Sequence, residues 1–145
     1  PHHPHAPPKI GLGPPLAQLS LAQAVPMAGV LIVTTPQQVS LQDARRGLAM
    51  FRQMGIPILG VVENMSAFIP PDRPDYRYAL FGSGGGAQLA ADYEVPLLAQ
   101  IPMEMPVQEG GDTGRPIVIN RSDSASAAEF KGLAEAVLKA VTQPV

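Results

Sequence analysis

Two polar residues, Glu63 and Asn64, directly follow the apolar run Pro57–Val62 (PILGVV), which has the pattern of a buried strand. Ligands in open α/β sheets gather at the carboxyl ends of the strands, which is where these two side chains fall. An asparagine at that place can offer both a donor and an acceptor to a base or an amide. It can also simply close a turn after the strand, and the local sequence leaves both interpretations open.

The segment Phe81–Ala91 (FGSGGGAQLAA) is the strongest glycine signal in the chain. Gly82, Gly84 and Ala87 fit the G-x-G-x-x-G/A pattern, so an NAD-binding domain is one hypothesis. That pattern needs a strand directly before it, and the preceding residues, DRPDYRYAL, make a poor buried strand. Because no Lys-Ser or Lys-Thr pair follows the glycines, they do not form a Walker A loop. The alternative prediction is a flexible start to a helix.

Residues that could perform catalysis or hold a metal are scarce. The chain contains no cysteine, which excludes a thiolate nucleophile and a cysteine-held iron–sulfur cluster built from these residues alone. The three histidines, His2, His3 and His5, all lie in a proline-rich beginning where nothing orients their imidazoles. We therefore predict no catalytic residue and no metal ligand in this chain.

Charge and hydropathy exclude several classes of partner. The formal net charge of −2 gives no electrostatic footprint for nucleic acid. No apolar run approaches the length of about 18 residues that indicates a membrane span, and the beginning of the chain lacks the pattern of a signal peptide. These features predict a cytoplasmic protein that binds neither nucleic acid nor a membrane.

Alternating helices and strands must position the polar residues. Residues 1–17 are predicted to form a disordered Pro/His-rich tail, and 18–145 a single folded unit. Helices are predicted at Gln18–Val25, from Ser40 onward, at Gly84–Tyr93 and from about Ser122–Ser124 to the end. Strands are predicted at Gly29–Thr35, Pro57–Val62, Pro96–Ile101 and Ile117–Ile119. The alternation predicts an α/β fold with a mostly parallel sheet flanked by helices.

Three further details of these elements are expected from the sequence. Ser40 and Asp43 form a capping-box pattern at the start of the second helix. The segment between Asn64 and Ser83 is predicted to be irregular because it carries several prolines. The last helix is expected to turn its apolar side chains inward, namely Phe130, Leu133, Val137 and Val141.

Several segments together resemble the Mrp/ApbC family of P-loop ATPases, relatives of MinD that carry iron–sulfur clusters. The resembling stretches are Ala17–Ser66, which contains TTPQ-x-x-S-L-x-D-A-R-R-G and G-V-V-E-N-M-S, then FGSGGG (Phe81–Gly86), VPLLAQIPME (Val95–Glu104) and GGDTGRPIVI (Gly110–Ile119). Their order and spacing hold as far as about Leu138.

This resemblance implies a three-layer, P-loop NTPase-like fold with ATP and magnesium as cofactors. It also implies a cytoplasmic dimer that delivers iron–sulfur clusters to apoproteins. In related ATPases an asparagine at the position of Asn64 reads the adenine, and the turn matching Pro102–Glu104 lines the same pocket. The nucleotide-binding residues implied here are Asn64, Pro102 and Glu104.

The chain departs from the family pattern in three places. It contains no Gly-Lys-Gly-Gly Walker A loop, and GLGPPLA stands where D-x-P-P-G-T-G-D is expected. The family's C-x-x-C pair is replaced by AFIPPDRPDYRYALFG. The resemblance therefore implies only the C-terminal part of such an ATPase, with the N-terminal half absent and no ATP turnover by this chain alone.

An incomplete sheet has consequences for association. If the first half is absent, the strand at Gly29–Thr35 or its neighbour has an unpaired edge, which predicts a chain that is marginally stable or oligomeric. The expected partners are a second copy or a full-length homologue. The alternative function is a non-catalytic interaction or regulatory module that pairs with such a homologue.

Overall fold

A parallel sheet of three strands forms the centre of the computed structural model, which describes residues 16–142. The strands, in the spatial order β1-β2-β3, are β1 (Val30–Thr34), β2 (Ile58–Phe68) and β3 (Leu97–Met103). The helices of these residues are α1 (Leu16–Ala24), α2 (Gln38–Gln53), α3 (Gly85–Asp92), α4 (Met105–Thr113), α5 (Ile117–Asn120) and α6 (Ala125–Thr142). The predicted α/β fold with a parallel sheet flanked by helices is confirmed.

The sheet buries apolar residues on both faces, as parallel sheets do. Successive side chains of a strand point to opposite faces, so Val61 and Val62 of β2 enter different clusters. Val61 packs in the cluster that contains Leu48 of α2 and Leu89 of α3, and all three are fully buried. Val62 lies in the cluster with Ala99 and Ile101, against which Phe130 and Leu133 of α6 pack.

The predicted fourth strand is wrong, because Ile117–Asn120 forms the helical turn α5. Pro116 precedes it as the N-cap, and its carbonyl accepts the N–H of Asn120 at 2.9 Å. Two β-branched isoleucines favour a strand locally. Here the bond to the Pro116 carbonyl and the burial of Ile117 against the interior select a helical turn instead.

The capping box at Ser40 is also wrong, because α2 begins at Gln38 and its N-cap is Gln37, which makes no side-chain capping bond. The Ser40 hydroxyl instead accepts a 2.8 Å hydrogen bond from the Thr35 hydroxyl. The Thr35 oxygen in turn accepts the N–H of Gln37 at 3.4 Å. Thr35 and Ser40 thus bond to each other across the start of α2, and neither forms the predicted capping box.

The second strand is longer than predicted, and the irregular segment begins later. β2 continues beyond Asn64 to Phe68, with a register irregularity between these two residues. The extension is held by a pair of hydrogen bonds between the backbones of Phe68 and Tyr78, at 2.8 and 2.9 Å. Backbone pairing of this kind joins distant residues and leaves no local sequence signal.

The predicted turn Pro102–Glu104 is not a turn. Pro102 and Met103 end β3, and Glu104 is the N-cap of α4, a helix that the sequence analysis did not predict. In α6, Val141 is 43% exposed rather than turned inward.

The predicted tail lies almost wholly outside the described residues. Residues 1–15 and their three histidines are not among residues 16–142, and Leu16 and Ala17 already belong to α1. The first helix therefore begins two residues before its predicted start at Gln18.

Candidate nucleotide-binding site

The three residues predicted to bind nucleotide, Asn64, Pro102 and Glu104, line one pocket of about 430 Å³. Asn64 of β2 pairs in register with Ile101 of β3, so the residues after Ile101 lie beside Asn64 at the same edge of the sheet. The pocket is lined by Asn64, Met65, Phe68, Pro102, Met103, Glu104, Met105, Val107 and Gln108. The structure therefore brings together residues that lie about 40 positions apart in the chain.

The lining suits a largely apolar ligand with a few polar atoms. Five of the nine side chains are Met, Phe or Val, and the polar ones are Asn64, Glu104 and Gln108. Methionine side chains adapt to irregular surfaces and contact aromatic rings favourably through sulfur. A concave site with apolar walls and a small number of polar groups is typical of small-molecule and cofactor binding.

The Asn64 side chain is held by a hydrogen bond to the next residue, where the backbone is left-handed. Its Oδ1 accepts the N–H of Met65 at 2.9 Å, and Met65 adopts a left-handed backbone with φ of 52°. Non-glycine residues in this region cost free energy and are concentrated at functional sites. The left-handed Met65 lies within the register irregularity of β2 and lines the pocket next to Asn64.

Glu104 has a structural contact that the sequence analysis missed. Its Oε1 accepts the backbone N–H of Ser126 at 2.7 Å, so this carboxylate caps the first turn of α6. The hydroxyl of the same serine donates to the carbonyl of Pro102 at 3.1 Å. The serine-rich run before α6 indicates a helix start, but no sequence signal points to these long-range contacts.

Packing against Glu63 explains one residue of the glycine-rich segment, Gly86. Glu63 is 2% exposed, and its Oε2 accepts the N–H of Gly86 at 2.7 Å while Gln100 Nε2 approaches Oε1 at 3.3 Å. A Cβ on Gly86 would lie 2.6 Å from Glu63 Oε2, so only glycine allows this approach. One of the unpaired N–H groups at the N-terminus of α3 is thus bonded by a carboxylate of the protein itself.

The geometry of a dinucleotide fingerprint is not present around these glycines. Within the described residues β2 ends at Phe68, and the chain before Gly82 makes only isolated bridges rather than a strand. Gly84 lies at the N-cap of α3 with φ of 78°, a conformation that glycine adopts without strain. The segment therefore serves as a tight connection into α3.

A salt bridge between Arg45 of α2 and Asp92 of α3 lies outside this pocket. The Arg45 guanidinium, 2.7 Å from Asp92, holds the pKa of that carboxyl below its ordinary value, and a hydrogen bond from Gln88 acts in the same direction. This ion pair ties α2 to α3. Among residues 16–142, no group of three or more His, Cys, Asp or Glu side chains is arranged to hold a metal ion.

None of the helices in residues 16–142 combines the length and the apolar character that crossing a bilayer requires.

The parallel sheet and its flanking helices define an α/β protein, and its structural neighbours give it the P-loop NTPase type of fold. A solved structure of the cell division ATPase MinD from Pyrococcus furiosus matches with a TM-score of 0.57 and 31% identity, over 75% of this chain and 41% of that one. A nucleotide-binding protein from Archaeoglobus fulgidus, solved in complex with ADP, matches with a TM-score of 0.56 and 30% identity, over 71% of this chain and 40% of that one.

Within that class, residues 7–138 match the ParA family described as NUBPL iron-transfer P-loop NTPases, and the chain belongs to this family. An iron–sulfur cluster carrier protein from Synechocystis is 59% identical over 121 residues, which are 83% of this chain and 34% of the relative. An iron–sulfur protein required for mitochondrial NADH dehydrogenase in Arabidopsis thaliana is 40% identical, over 88% of this chain and 40% of the relative. The chain thus spans between a third and two fifths of the length of these curated relatives.

Proposed function

We propose that this chain is the C-terminal, base-binding part of an Mrp-type iron–sulfur cluster carrier ATPase. The observation that carries the proposal is the single pocket shared by Asn64, Pro102 and Glu104 at the carboxyl edge of the sheet. Ligands of open α/β sheets bind at this edge. The family suggests ATP as the ligand, with iron–sulfur apoproteins of the cytoplasm as clients.

The proposed mode of binding places the adenine between the apolar walls of the pocket. Met65 and Phe68 come from the end of β2, and Met103 and Met105 from the β3–α4 junction, so the pocket has apolar groups from two elements. Asn64 would orient the base, since its amide can donate while Oδ1 keeps a second lone pair beside the Met65 bond. Glu104 would act mainly as part of the wall, because Ser126 already occupies one of its carboxylate oxygens.

We further propose that the chain does not hydrolyse ATP by itself. Phosphoryl transfer needs charge neutralisation by a Walker A lysine and magnesium, and a positioned water. The sequence contains no Walker A motif, and the described residues offer no acidic cluster for a metal ion. The cluster cargo also has no thiolate ligand here, because the chain contains no cysteine. These residues therefore do not fit cluster binding by cysteine.

A titration with a fluorescent ATP analogue, with and without magnesium, tests base binding. Saturable binding that unlabelled ATP competes away is expected. Asn64→Ala should weaken it by about tenfold, because one or two hydrogen bonds of about 0.5–1.5 kcal/mol each are lost. Asn120→Ala, the same substitution in α5 outside the pocket lining, should leave it unchanged. Absence of saturable binding by the wild-type chain would contradict the proposal.

The free edge of β1 favours the second candidate, a module that pairs with another polypeptide. Among residues 16–142, β1 pairs only with β2, and Val33 is 62% exposed. A hollow of about 640 Å³ beside β1 is lined by apolar residues of several elements, including Leu21 of α1 and Val137 and Val141 of α6. Open strand edges with apolar surface invite association. We infer that a full-length homologue or a second copy covers this face.

Sedimentation velocity over a range of concentrations, with and without a full-length homologue, tests this pairing. Val33→Lys places a charge on the exposed face of β1 and should abolish association. Ile119→Lys, at a residue that is 79% exposed and outside the hollow, is the control and should leave association intact. A chain that stays monomeric at all concentrations and does not bind the homologue would contradict the pairing.

A further inference from the structure

We propose that Ser126 is a positioning residue of the candidate nucleotide pocket, which holds the wall formed by the β3–α4 junction. This inference rests on the proposed function, since it concerns the same pocket. Ser126 is completely buried in the first turn of α6 and does not itself line the pocket. Its backbone N–H and its hydroxyl both donate to residues that do.

The two hydrogen bonds of Ser126 hold the residues on either side of Met103, which belongs to the pocket wall. The Ser126 hydroxyl donates to the Pro102 carbonyl at 3.1 Å, and its backbone N–H donates to Glu104 Oε1 at 2.7 Å. Met103 lies between these two anchored residues and lines the pocket. Because proline has no N–H, Pro102 cannot be held through a donor of its own. The hydrogen bond from the Ser126 hydroxyl to the Pro102 carbonyl therefore helps to fix the position of the pocket wall.

The Glu104 bond is favourable in charge as well as geometry. A carboxylate at the N-terminus of a helix satisfies an orphan N–H and interacts with the positive end of the helix dipole. Because Glu104 is the N-cap of α4 and also caps α6, it joins the beginnings of two helices beside the pocket. A shift of α6 would move the start of α4, and with it Met105 and Val107 of the lining.

Ser124 offers a matched control on the same helix. Its hydroxyl accepts the N–H of Ala127 at 3.0 Å, which is the local N-cap bond of α6. Ser124 does not line the pocket, and its side-chain bond reaches neither Pro102 nor Glu104. Removal of either serine hydroxyl costs one hydrogen bond, but only the Ser126 bond reaches the pocket wall.

The experiment compares Ser126→Ala and Ser124→Ala in ATP titrations and in urea unfolding. Both variants should lower the unfolding midpoint to a similar extent. Ser126→Ala should weaken ATP binding by about three- to tenfold, the equivalent of one lost hydrogen bond. Ser124→Ala should change it by less than about twofold, since it leaves the pocket contacts in place. Equal ATP affinity for the two variants would overturn the positioning role.

A measurement on the wild-type chain covers the case in which Ser126→Ala fails to fold. Saturation with ATP should slow hydrogen exchange of the Ser126 amide several-fold more than that of the Ala128 amide, which bonds within α6 to the Ser124 carbonyl. Equal slowing of both amides would overturn the inference. Wild-type chain that binds no ATP would instead overturn the proposed function, and this inference with it, so the two failures are distinguishable.

Discussion

Gly86→Ala should destabilise the protein, although helix propensity alone predicts the opposite. Gly86 is the second residue of α3, a position where alanine normally favours the helix by about 1 kcal/mol over glycine. In this fold an added Cβ would lie 2.6 Å from Glu63 Oε2 and 2.9 Å from Glu63 Cβ. Glu63 is 2% exposed, so its side chain has little room to withdraw.

The magnitude follows from three contributions. Displacement of α3 breaks the 2.7 Å bond from the Gly86 N–H to the Glu63 carboxylate, and a hydrogen bond to a charged group contributes about 1.5–3 kcal/mol. Crowding in a packed interior adds about 1–3 kcal/mol, and helix propensity offsets about 1 kcal/mol of the total. The net loss in the free energy of unfolding is therefore about 1.5–5 kcal/mol.

Urea unfolding followed by far-UV circular dichroism measures this loss. Gly132→Ala is the control, because its added Cβ meets nothing within 4 Å in α6, and it should stabilise by about 0.5–1 kcal/mol. In a Glu63→Ala background the contact with the carboxyl group is removed and only the 2.9 Å approach to Cβ remains, so Gly86→Ala should cost less there than in the wild type. A Gly86→Ala variant at least as stable as the wild type, or an unchanged cost in the Glu63→Ala background, would refute the contact.

Two further predictions concern the core and the surface ion pair. Leu48→Ala should lower the free energy of unfolding by about 2–5 kcal/mol because Leu48 is fully buried. Leu138→Ala, at a residue that is 62% exposed, should change it by about 0.5 kcal/mol or less. Equal losses for the two variants in chemical denaturation would contradict the assigned core. Arg45→Met should raise the pKa of Asp92 toward its ordinary value, because the Arg45 hydrogen bond is the main cause of its lowering. The lowered folded-state pKa means that this pair stabilises the fold above the ordinary carboxyl pKa and that the stabilisation is lost as the pH falls through the folded-state pKa. An NMR titration of the Asp92 carboxyl that shows the same pKa in both proteins would contradict this assignment.

The regular parts of the fold could be predicted because their signals are local. Apolar β-branched runs such as Gly29–Thr35 mark strands that are buried on both faces, and the structure places β1 at Val30–Thr34. The apolar stripe of α2 likewise gives its buried face, which includes Leu41 and Leu48. The grouping of Asn64 with Pro102 and Glu104 came from resemblance to a family, and the register of β2 and β3 gives it a physical basis.

The parts that could not be predicted depend on contacts between distant residues. Helix α4 carries Gly110, Gly111 and Gly114 within or next to it, so its local propensity is poor. The bonds from Ser126 to Pro102 and Glu104 span more than 20 positions and leave no pattern in the sequence. The bond between Gly86 and Glu63 is a similar case, because the sequence shows the glycine-rich segment but does not indicate that Glu63 is the partner of Gly86.

The most direct test of nucleotide binding is to map ATP onto the isotope-labelled chain with two-dimensional ¹H–¹⁵N NMR. Amide resonances of the pocket residues Asn64, Met103 and Gln108 should shift in a saturable way, while those of Gly84 and Gly86 in the glycine-rich segment should move little. Shifts confined to the glycine-rich segment, or none at saturating ATP, would contradict a base-binding pocket at the ends of β2 and β3.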